Sequence, residues 1–186
     1  MMLSDVDLRA VIKSGELAIE PFNDAMVRAA GVTLHLGPEL LVPETGVVVD
    51  VKNGKVPEYS PVHITEDAPY TLNPGDFILG ATFERVSVGA SLGFFIEGRS
   101  TLARVGLTIV QTAMLVYPGH HDRAVTLELA NHGPNPILLY PEMKIARAAV
   151  FRLQTEATEL YDQKGKYRSQ AAAGPPIFQN EFRQKG

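Results

Sequence analysis

The sequence contains no cysteine among its 186 residues. Disulfide bonds, thiol nucleophiles and zinc sites that use cysteine are therefore excluded. Long apolar runs are missing as well, and the N-terminus MMLSDVDLRA carries two Asp instead of the apolar core of a signal peptide. The sequence therefore predicts a cytoplasmic protein that makes no membrane contact.

An excess of positive charge is also absent, because 17 Lys and Arg stand against 21 Asp and Glu, which gives a net charge of −4. This balance argues against a broad binding surface for nucleic acid or an anionic membrane. A negatively charged substrate would need a local cluster of Lys and Arg. The hydrophobic content of 45% and the charged content of 20% are typical of a globular protein, and the length suggests one domain.

One helix is predicted near the N-terminus, in the stretch SDVDLRAVIKSGE. Ser4 can cap this helix, and Asp7 is placed for the reciprocal contact of a capping box. Leu8 and Val11 share one face, and Gly15 suits the C-terminal stop.

The rest of the chain favours strands, because 13 Pro and 16 Gly separate short apolar runs. The predicted strands cover residues 32–37, 77–86, 92–98, 107–114, 124–131, 135–140 and 144–153. Many evenly spaced strands are typical of a β-sandwich, jelly roll or barrel. After residue 160 the sequence becomes polar and small, which predicts a domain over residues 1–160 and a C-terminal tail over 161–186 that orders over a ligand.

The densest candidate for chemistry is GRSTLARVG, residues 98–106. Its backbone N–H groups, the hydroxyls of Ser100 and Thr101 and the guanidinium of Arg99 can cradle a phosphate. Arg104 lies four residues beyond Ser100 and shares its face if the segment forms a helical turn. A solvated turn is the alternative, because short Gly and Arg motifs often match by chance.

Glu128 lies within AVTLELAN, residues 124–131. Because side chains alternate along a strand, Leu127 and Leu129 face the core while Thr126 and Glu128 share the other face. The small neighbours on that face leave room for a ligand beside the carboxylate. The alternative is a carboxylate exposed to water on the outer face of a half-buried strand.

His120, His121 and Asp122 are adjacent, which raises a metal site as a hypothesis. A polar loop is the favoured interpretation, because neighbouring side chains in a strand point apart and no third ligand lies at a spacing that is typical of metal sites. The HxE and PCxxC pattern of zinc-dependent nucleobase deaminases is absent.

The segment KGKYRSQ, residues 164–170, places Lys164, Lys166 and Arg168 beside Tyr167. A solvated run of charge is one interpretation. The other is a lid whose cations close over a polyphosphate.

Taken in order, FIEGRSTLARVGL, QTA and TLELAN resemble motifs of the dCTP deaminase branch of the dUTPase superfamily. The opening MLSDVDLRAVIKSGELAIEPF, the stretch VTLHLG, the turn NPGDFILGATFERV and the tail KYRSQ also have counterparts there. The resemblance implies a mainly β fold, either a distorted jelly roll or a dUTPase-like β-barrel, with a short N-terminal helix. It also implies a homotrimer with nucleotide sites between subunits, and whether trimers pair into hexamers stays open.

The resemblance implies hydrolytic deamination of a cytosine deoxynucleotide without zinc. Glu128 would take a proton from water and pass it to the ring and the leaving ammonia, while Ser100 and the backbone of Ala113 position that water. Arg104 would orient Glu128 and keep it charged, and Mg²⁺ would accompany the triphosphate. The implied substrate contacts are Arg99, Thr101, Gln111, Tyr117, Thr126, Leu127, Tyr161, Lys166 and Gln170.

The sequence departs from the family pattern at five positions. Tyr117 replaces an aspartate that helps with the sugar and the hydrolytic water in members that hydrolyse the triphosphate. The other departures are His120, Leu115, Thr33, where aspartate is usual, and Arg147, where glutamine is frequent. We expect them to cluster around the base and sugar more than around the phosphates, which predicts an altered preference among cytosine nucleotides.

Three functions therefore compete. The first is the deaminase, which releases dUTP and ammonia. The second is a dUTP diphosphatase, against which the loss of the aspartate at Tyr117 argues. The third is a nucleotide-binding homologue on the same scaffold without turnover.

Overall fold

The structure, a computed structural model, describes residues 1–178 and 181–182. Its helices are α1 (Asp5–Ser14), α2 (Ser100–Ala103) and α3 (Tyr161–Lys164), with a short 3-10 helix at Asp24–Met26. Its strands are β1 (Leu17–Glu20), β2 (Val27–Arg28), β3 (Gly31–His35), β4 (Glu39–Pro43), β5 (Tyr59–His63), β6 (Tyr70–Leu72), β7 (Phe77–Val88), β8 (Leu92–Gly98), β9 (Leu107–Thr108), β10 (Leu115–Val116), β11 (Arg123–Asn131), β12 (Ile137–Leu139) and β13 (Lys144–Arg152).

Two antiparallel sheets enclose one hydrophobic core. The first sheet has the order β5-β4-β7-β11-β9, with β1 also paired to β7, and the second has the order β10-β8-β13-β3-β2. Alternate side chains of both sheets are fully buried in one cluster, as Leu34, Phe94, Leu127 and Val150 illustrate. The predicted mainly β fold is confirmed, and the described strands form packed sheets that do not close into a barrel.

The N-terminal helix begins and ends where the sequence predicts. The Ser4 hydroxyl accepts a hydrogen bond from the Asp7 backbone N–H at 3.4 Å, and the Ser4 backbone N–H donates to the Asp7 carboxylate at 3.2 Å. Gly15 ends the helix with a φ of 79°, a left-handed conformation that costs glycine little. Leu8 and Val11 are buried, so α1 packs its apolar face on the core.

The strand predicted over residues 107–114 is wrong beyond Thr108. The chain leaves the first sheet after β9 and joins the second at β10, where the Ile96 N–H donates to the Met114 carbonyl at 2.8 Å. One strand cannot belong to both sheets, so the linking residues are irregular. Their backbone finds side-chain partners instead, as described below for Gln111.

Several short strands were not predicted. These are β1, β2, β4, β5, β6 and β10. Their apolar runs are brief, and Pro43 and Pro61 interrupt two of them. Proline is compatible with β5 because this strand pairs on one side only, with β4.

The fold places β11 in the first sheet between β7 and β9. Its inner face carries Leu127 and Leu129, and its outer face carries Thr126 and Glu128. No helix in residues 1–178 is both long enough and apolar enough to cross a bilayer.

Candidate functional site

A cavity of about 970 Å³ opens beside the outer face of β11. One wall is β11 itself, and a second is the irregular chain that links β9 to β10 and continues to the turn at residues 117–120. The segment that follows α3 covers it. A space of this size accommodates a nucleotide-sized ligand.

Glu128 projects into this cavity. One carboxylate oxygen, Oε2, accepts a hydrogen bond from the Gln111 backbone N–H at 2.8 Å. The Glu128 N–H in turn donates to the Ile109 carbonyl at 2.9 Å. Both the backbone and the side chain of Glu128 therefore bond β11 to the chain that links β9 to β10. The side chain is half-buried, which excludes the interpretation as a carboxylate fully exposed to water.

The linking chain supplies Gln111 and Ala113, and both line the cavity. The Gln111 side-chain amide donates to the Thr108 hydroxyl at 3.2 Å, which fixes the side chain along β9. Thr126 lines the same wall next to Glu128 and is exposed. These small and polar groups leave the space beside the carboxylate open.

Aromatic rings form the opposite end of the cavity. The Tyr117 and Tyr161 rings are parallel within 6°, with centroids 6.2 Å apart. The His120 ring lies 5.9 Å from Tyr161 at a tilted angle. Burial raises the pKa of the Tyr161 phenol and lowers the pKa of His120, so both groups are neutral near neutral pH.

Arg123 holds the C-terminal segment over this end of the cavity. Its guanidinium lies 5.6 Å from the centre of the Tyr161 ring, within range of a cation–π contact. Its Nε donates to the His121 carbonyl at 3.0 Å and its Nη1 donates to the Arg168 carbonyl. The Arg123 side chain is buried, and no spacing in the sequence distinguishes it from an exposed cation.

Close backbone contacts join the same segment to the turn before β11. The Tyr161 N–H donates to the Pro118 carbonyl at 2.9 Å. A Cβ on Gly119 would lie 2.6 Å from the Leu160 Cβ, and the φ of Gly119 is 78°. Only glycine therefore permits this approach.

Lys166 and Gln170 also line the cavity. The Lys166 ammonium forms an ion pair with Glu181, and the Ala124 N–H donates to the Ala171 carbonyl at 3.2 Å. Residues of the C-terminal segment, described over 161–178 and 181–182, thus line one side of the cavity, and that this segment closes over a nucleotide stays a prediction. Residues 179–180 and 183–186 of that prediction lie outside the described residues.

The GRST segment lies elsewhere on the chain. Residues 100–103 form the helical turn α2, and the Arg104 N–H donates to the Ser100 carbonyl at 3.1 Å, as the four-residue spacing predicts. The exposed side chains of Ser100, Thr101 and Arg104 do not line the Glu128 cavity. A single chain therefore brings Glu128, Gln111 and Ala113 together but leaves the serine and the arginine apart from them.

Leu127 needs a correction. Its side chain is 0% exposed and lies in the core, because it alternates with Glu128 along β11. Only its backbone, and not its side chain, can meet a base in the cavity.

The departures from the family pattern divide between two places. Leu115, Tyr117 and His120 line the Glu128 cavity. Thr33 and Arg147 instead line a second, smaller cavity together with Arg99. Three of the five departures therefore share the Glu128 cavity, and their clustering around the base and sugar stays a prediction.

Sequence reasoning missed other residues of the Glu128 cavity. Tyr59 comes from the edge strand β5 and Phe77 from the start of β7. Tyr59 and Phe77 are distant in sequence from β11 and the C-terminal segment, and no local motif links them. Tyr167, within the predicted lid motif KGKYRSQ, lines the cavity as well, and its hydroxyl accepts a hydrogen bond from the Ile177 N–H at 3.2 Å. As for metals, residues 1–178 and 181–182 contain no group of three His, Asp or Glu side chains that could hold an ion.

Comparison with known proteins points to one family. A family model described as dCTP deaminase-like matches residues 2–153. A Halobacterium salinarum protein named dCTP deaminase, dUMP-forming, is 40% identical over 178 residues, which cover 91% of this chain and 91% of the relative. A protein of the same name from Salinispora tropica is 36% identical over 180 residues, which cover 94% and 93%. A dCTP deaminase from Natronomonas pharaonis is 36% identical over 181 residues, which cover 94% and 92%.

The fold has a counterpart among solved structures. The 2′-deoxycytidine 5′-triphosphate deaminase from Agrobacterium tumefaciens superposes with a TM-score of 0.62 and 16% identity, over 82% of this chain and 48% of the other. At that identity the likeness concerns the fold alone.

Proposed function

Because the chain belongs to the dCTP deaminase-like family, we propose that it deaminates a cytosine deoxynucleotide, converting dCTP and water to dUTP and ammonia. The observation that carries the proposal is the Glu128 carboxylate, which is held by a backbone N–H in the wall of a nucleotide-sized cavity. The names of the relatives from Halobacterium, Salinispora and Natronomonas support the same reaction.

Glu128 acts as the general base in this proposal. The Gln111 N–H engages Oε2 and fixes the orientation of the carboxylate, which leaves Oε1 to take a proton from water. The resulting hydroxide attacks C4 of the cytosine ring while the protonated Glu128 gives its proton to N3. The carboxylate then moves the proton of the new C4 hydroxyl to the amine, so the C4–N bond breaks, ammonia leaves and the C4 carbonyl of uracil forms. A positioned base contributes about 10²–10⁴-fold to such a step.

Ser100 and Arg104 reach the carboxylate from a neighbouring subunit. Within one chain neither side chain lines the cavity, although α2 presents both to solvent. A homotrimer that places α2 of one copy against the Glu128 cavity of the next would complete the site, with Ser100 and the Ala113 backbone holding the water. A cyclic trimer has three equivalent interfaces of this kind.

The phosphates lie under the C-terminal lid in this proposal. Arg99 and Thr101 of the neighbouring α2 segment would bind them together with Lys166 and Gln170, and Lys166 would exchange its ion pair with Glu181 for a phosphate oxygen. Mg²⁺ would be held mainly by phosphate oxygens and water, because residues 1–178 and 181–182 offer no cluster of three ligands. A cytoplasmic location stays a prediction.

The base and sugar meet Thr126 and Tyr117. The Thr126 hydroxyl is exposed next to Glu128, and the Tyr117 ring can stack on deoxyribose but cannot act as a carboxylate base near neutral pH. We therefore expect a changed preference among cytosine deoxynucleotides. Steady-state kinetics with dCTP, dCDP, dCMP and 5-substituted dCTP tests this, and unmodified dCTP as the clear best substrate would refute the changed preference.

The deciding experiment is Glu128→Gln. The amide oxygen can still accept from the Gln111 N–H, but the side chain no longer accepts a proton, so ammonia release should fall at least about 10²-fold while nucleotide binding persists. Glu66→Gln, at an exposed loop carboxylate, is the matched control and should be fully active. Unchanged turnover in Glu128→Gln would refute the proposal, and the absence of turnover in the wild type with nucleotide binding intact would favour the non-catalytic homologue.

A second candidate is a deaminase that forms dUMP. The relatives from Halobacterium and Salinispora carry that name. The absence of a carboxylate at Tyr117 argues against it here. Product analysis separates the two, because dUMP formation releases pyrophosphate as well as ammonia, and a dUTP diphosphatase would release pyrophosphate without ammonia.

A further inference from the structure

Asn53 is the only asparagine of the chain that precedes a glycine. An asparagine loses its amide when the backbone nitrogen of the next residue attacks the side-chain carbonyl carbon. Glycine hinders this attack least because it has no side chain, and proline has no N–H with which to react. Two of the other five asparagines precede proline and three precede residues with larger side chains: Asn73 and Asn135 precede Pro74 and Pro136, and Asn23, Asn131 and Asn180 precede Asp24, His132 and Glu181.

The Asn53-Gly54 pair lies in the turn of a small hairpin between β4 and β5. The Asp50 N–H donates to the Lys55 carbonyl at 3.0 Å, and the Lys55 N–H donates to the Asp50 carbonyl at 2.9 Å. The residues between them are exposed, and Gly54 has a φ of 71°, as is usual for glycine in turns. The turn therefore presents the reactive dipeptide to solvent.

The attacking nitrogen of Gly54 is accessible. Among residues 1–178 and 181–182, no acceptor binds the Gly54 N–H. A Cβ on this glycine would have no atom within 4 Å, so the space around it is open to water. Neither a hydrogen bond nor a packed neighbour therefore prevents this nitrogen from losing its proton and attacking.

Asn131 shows the opposite situation in the same fold. Its side chain is buried, and its Nδ2 donates to the carbonyls of Leu72 and Asn135 at 2.9 and 2.8 Å. Its Oδ1 accepts from the Gly133 N–H at 2.9 Å. An amide held by three hydrogen bonds away from water cannot turn toward the next backbone nitrogen, so the fold protects Asn131 and leaves Asn53 exposed.

Asp50 restrains the Asn53 side chain. One carboxylate oxygen of Asp50 accepts from Asn53 Nδ2 at 2.7 Å, and the other accepts from the Asn53 backbone N–H at 3.0 Å. The hydrogen bond from the Asn53 side chain is the main cause of the lowered pKa of Asp50, which is therefore charged near neutral pH. The contact turns the amide toward residue 50, which precedes it, whereas the reaction requires approach to the nitrogen that follows.

We propose that Asn53 is a site of spontaneous deamidation, and that the hydrogen bond to Asp50 limits its rate. The Gly54 nitrogen forms a bond to Asn53 Cγ and gives up its proton. The Cγ–Nδ2 bond breaks, and the amide leaves as ammonia with that proton. Water then opens the cyclic succinimide at either carbonyl, which gives aspartate or isoaspartate, so water is the only co-reactant.

The products change the hairpin. The new carboxylate lies where the amide donated to Asp50, and two like charges at that distance repel each other. Isoaspartate also adds a carbon to the main chain between residues 50 and 55, so the paired hydrogen bonds of Asp50 and Lys55 no longer match the length of the turn. Deamidation therefore converts a closed hairpin into an open, more acidic loop.

Ageing of the full-length protein at mildly alkaline pH tests the site. Nucleotide is left out, so the reaction proposed at Glu128 contributes no ammonia. Cleavage after Glu44 and Glu58 releases residues 45–58, in which Asn53 is the only side-chain amide. The mass of this peptide should rise by the exchange of an amino group for a hydroxyl, and an isoaspartyl methyltransferase should label it.

Two controls locate the reaction. Residues 21–39, released by cleavage after Glu20 and Glu39, contain the exposed Asn23 and should keep their mass. Asn53→Gln should leave residues 45–58 unmodified, because a longer side chain closes the ring less readily.

The role of Asp50 is tested by rates. A synthetic peptide of residues 45–58 has no folded hairpin and gives the unrestrained rate. The wild-type protein should react about tenfold more slowly, as expected for one charge-assisted hydrogen bond, and Asp50→Ala should approach the peptide. Thermal melts show whether each variant is folded.

An unmodified Asn53 in the protein after the free peptide has reacted would overturn the site. Equal rates in the wild type and in folded Asp50→Ala would overturn the restraint by Asp50. Because residues 50–55 do not line the Glu128 cavity, neither result depends on the proposed deaminase activity.

Discussion

The stability of the protein depends on pH through His120, a residue of the Glu128 cavity. Burial lowers the pKa of His120 from the ordinary value of 6.5, a hydrogen bond to the Arg123 carbonyl opposes this, and electrostatic repulsion from Arg123 and His121 lowers it further. The folded state therefore binds fewer protons than the unfolded state when the pH falls below 6.5. The stability that comes from a neutral His120 is complete above that pH and is lost as the pH falls toward the pKa of the folded state.

We therefore predict that His120→Gln makes the protein less sensitive to acid. The free energy of unfolding, measured in urea at pH 7.5 and pH 5.5, should fall less for this variant than for the wild type. Thr155→Gln, at an exposed residue that does not titrate, serves as the comparison and should keep the wild-type dependence. Equal acid sensitivity in His120→Gln and the wild type would contradict the pKa shift.

At the residue scale, the sequence predicts which side chains of a strand face the core and which face a ligand, because side chains alternate along the strand. The division of β11 into a core face and a ligand face follows from the period of two, and it also shows why the Leu127 side chain cannot line the cavity. Arg123 and Tyr59 were not predictable in this way. Their roles depend on chain segments that are distant in sequence and meet only in the folded protein.

At the scale of elements, Arg123 connects β11 to the C-terminal segment. The carbonyls of His121 and Arg168 accept from two separate nitrogens of its guanidinium, and the ring of Tyr161 lies beneath it. A lysine has one ammonium and cannot reproduce this geometry. The lid therefore depends on a side chain that the family motifs did not single out.

We predict that Arg123→Lys exposes residues 161–178 to trypsin, which can cut after Lys164, Lys166 and Arg168. Loss of a charge-assisted contact should raise the open population, and with it the cleavage rate, about tenfold. Arg9→Lys keeps the number of trypsin sites unchanged and alters only exposed contacts with Asp5 and Asp24, so it should be cleaved like the wild type. A wild-type rate in Arg123→Lys would show that Arg123 does not hold the lid.

Elements with strong local signals were predictable, as α1 shows with its capping box and its glycine stop. The linking chain at residues 109–114 was not, because its apolar residues resemble a strand. Its path is determined by the exchange between sheets and by the Glu128 carboxylate, which accepts the N–H of Gln111. A side-chain acceptor that replaces a strand partner leaves no periodic signal in the sequence.

At the scale of the whole molecule, the separation of Glu128 from Arg104 makes a prediction about assembly. If the site is shared between subunits, a trimer that contains both Glu128→Gln and Arg104→Gln chains has some sites built from two intact halves. Random assembly from equal amounts gives about a quarter of the sites this composition. Co-expression of the two inactive variants should therefore restore roughly a quarter of the wild-type ammonia release.

The matched control combines Glu128→Gln with Glu128→Ala, which leaves every site without its base and should remain inactive. Sedimentation analysis establishes that the co-expressed chains form mixed trimers. Mixed trimers without restored activity would mean that both residues act within one chain, contrary to the proposed assembly.

The second, smaller cavity at Arg147 also shapes the electrostatic field around the molecule. Its lining includes the cations Arg28, Arg99, Lys144 and Arg147. The chain carries a net charge of −4, so without these four cations the remainder carries −8. A diffusing polyanion is therefore attracted by the mouth of this cavity and repelled by the net charge of the remainder, and this steering weakens as added salt shortens the Debye length to about 8 Å at physiological ionic strength.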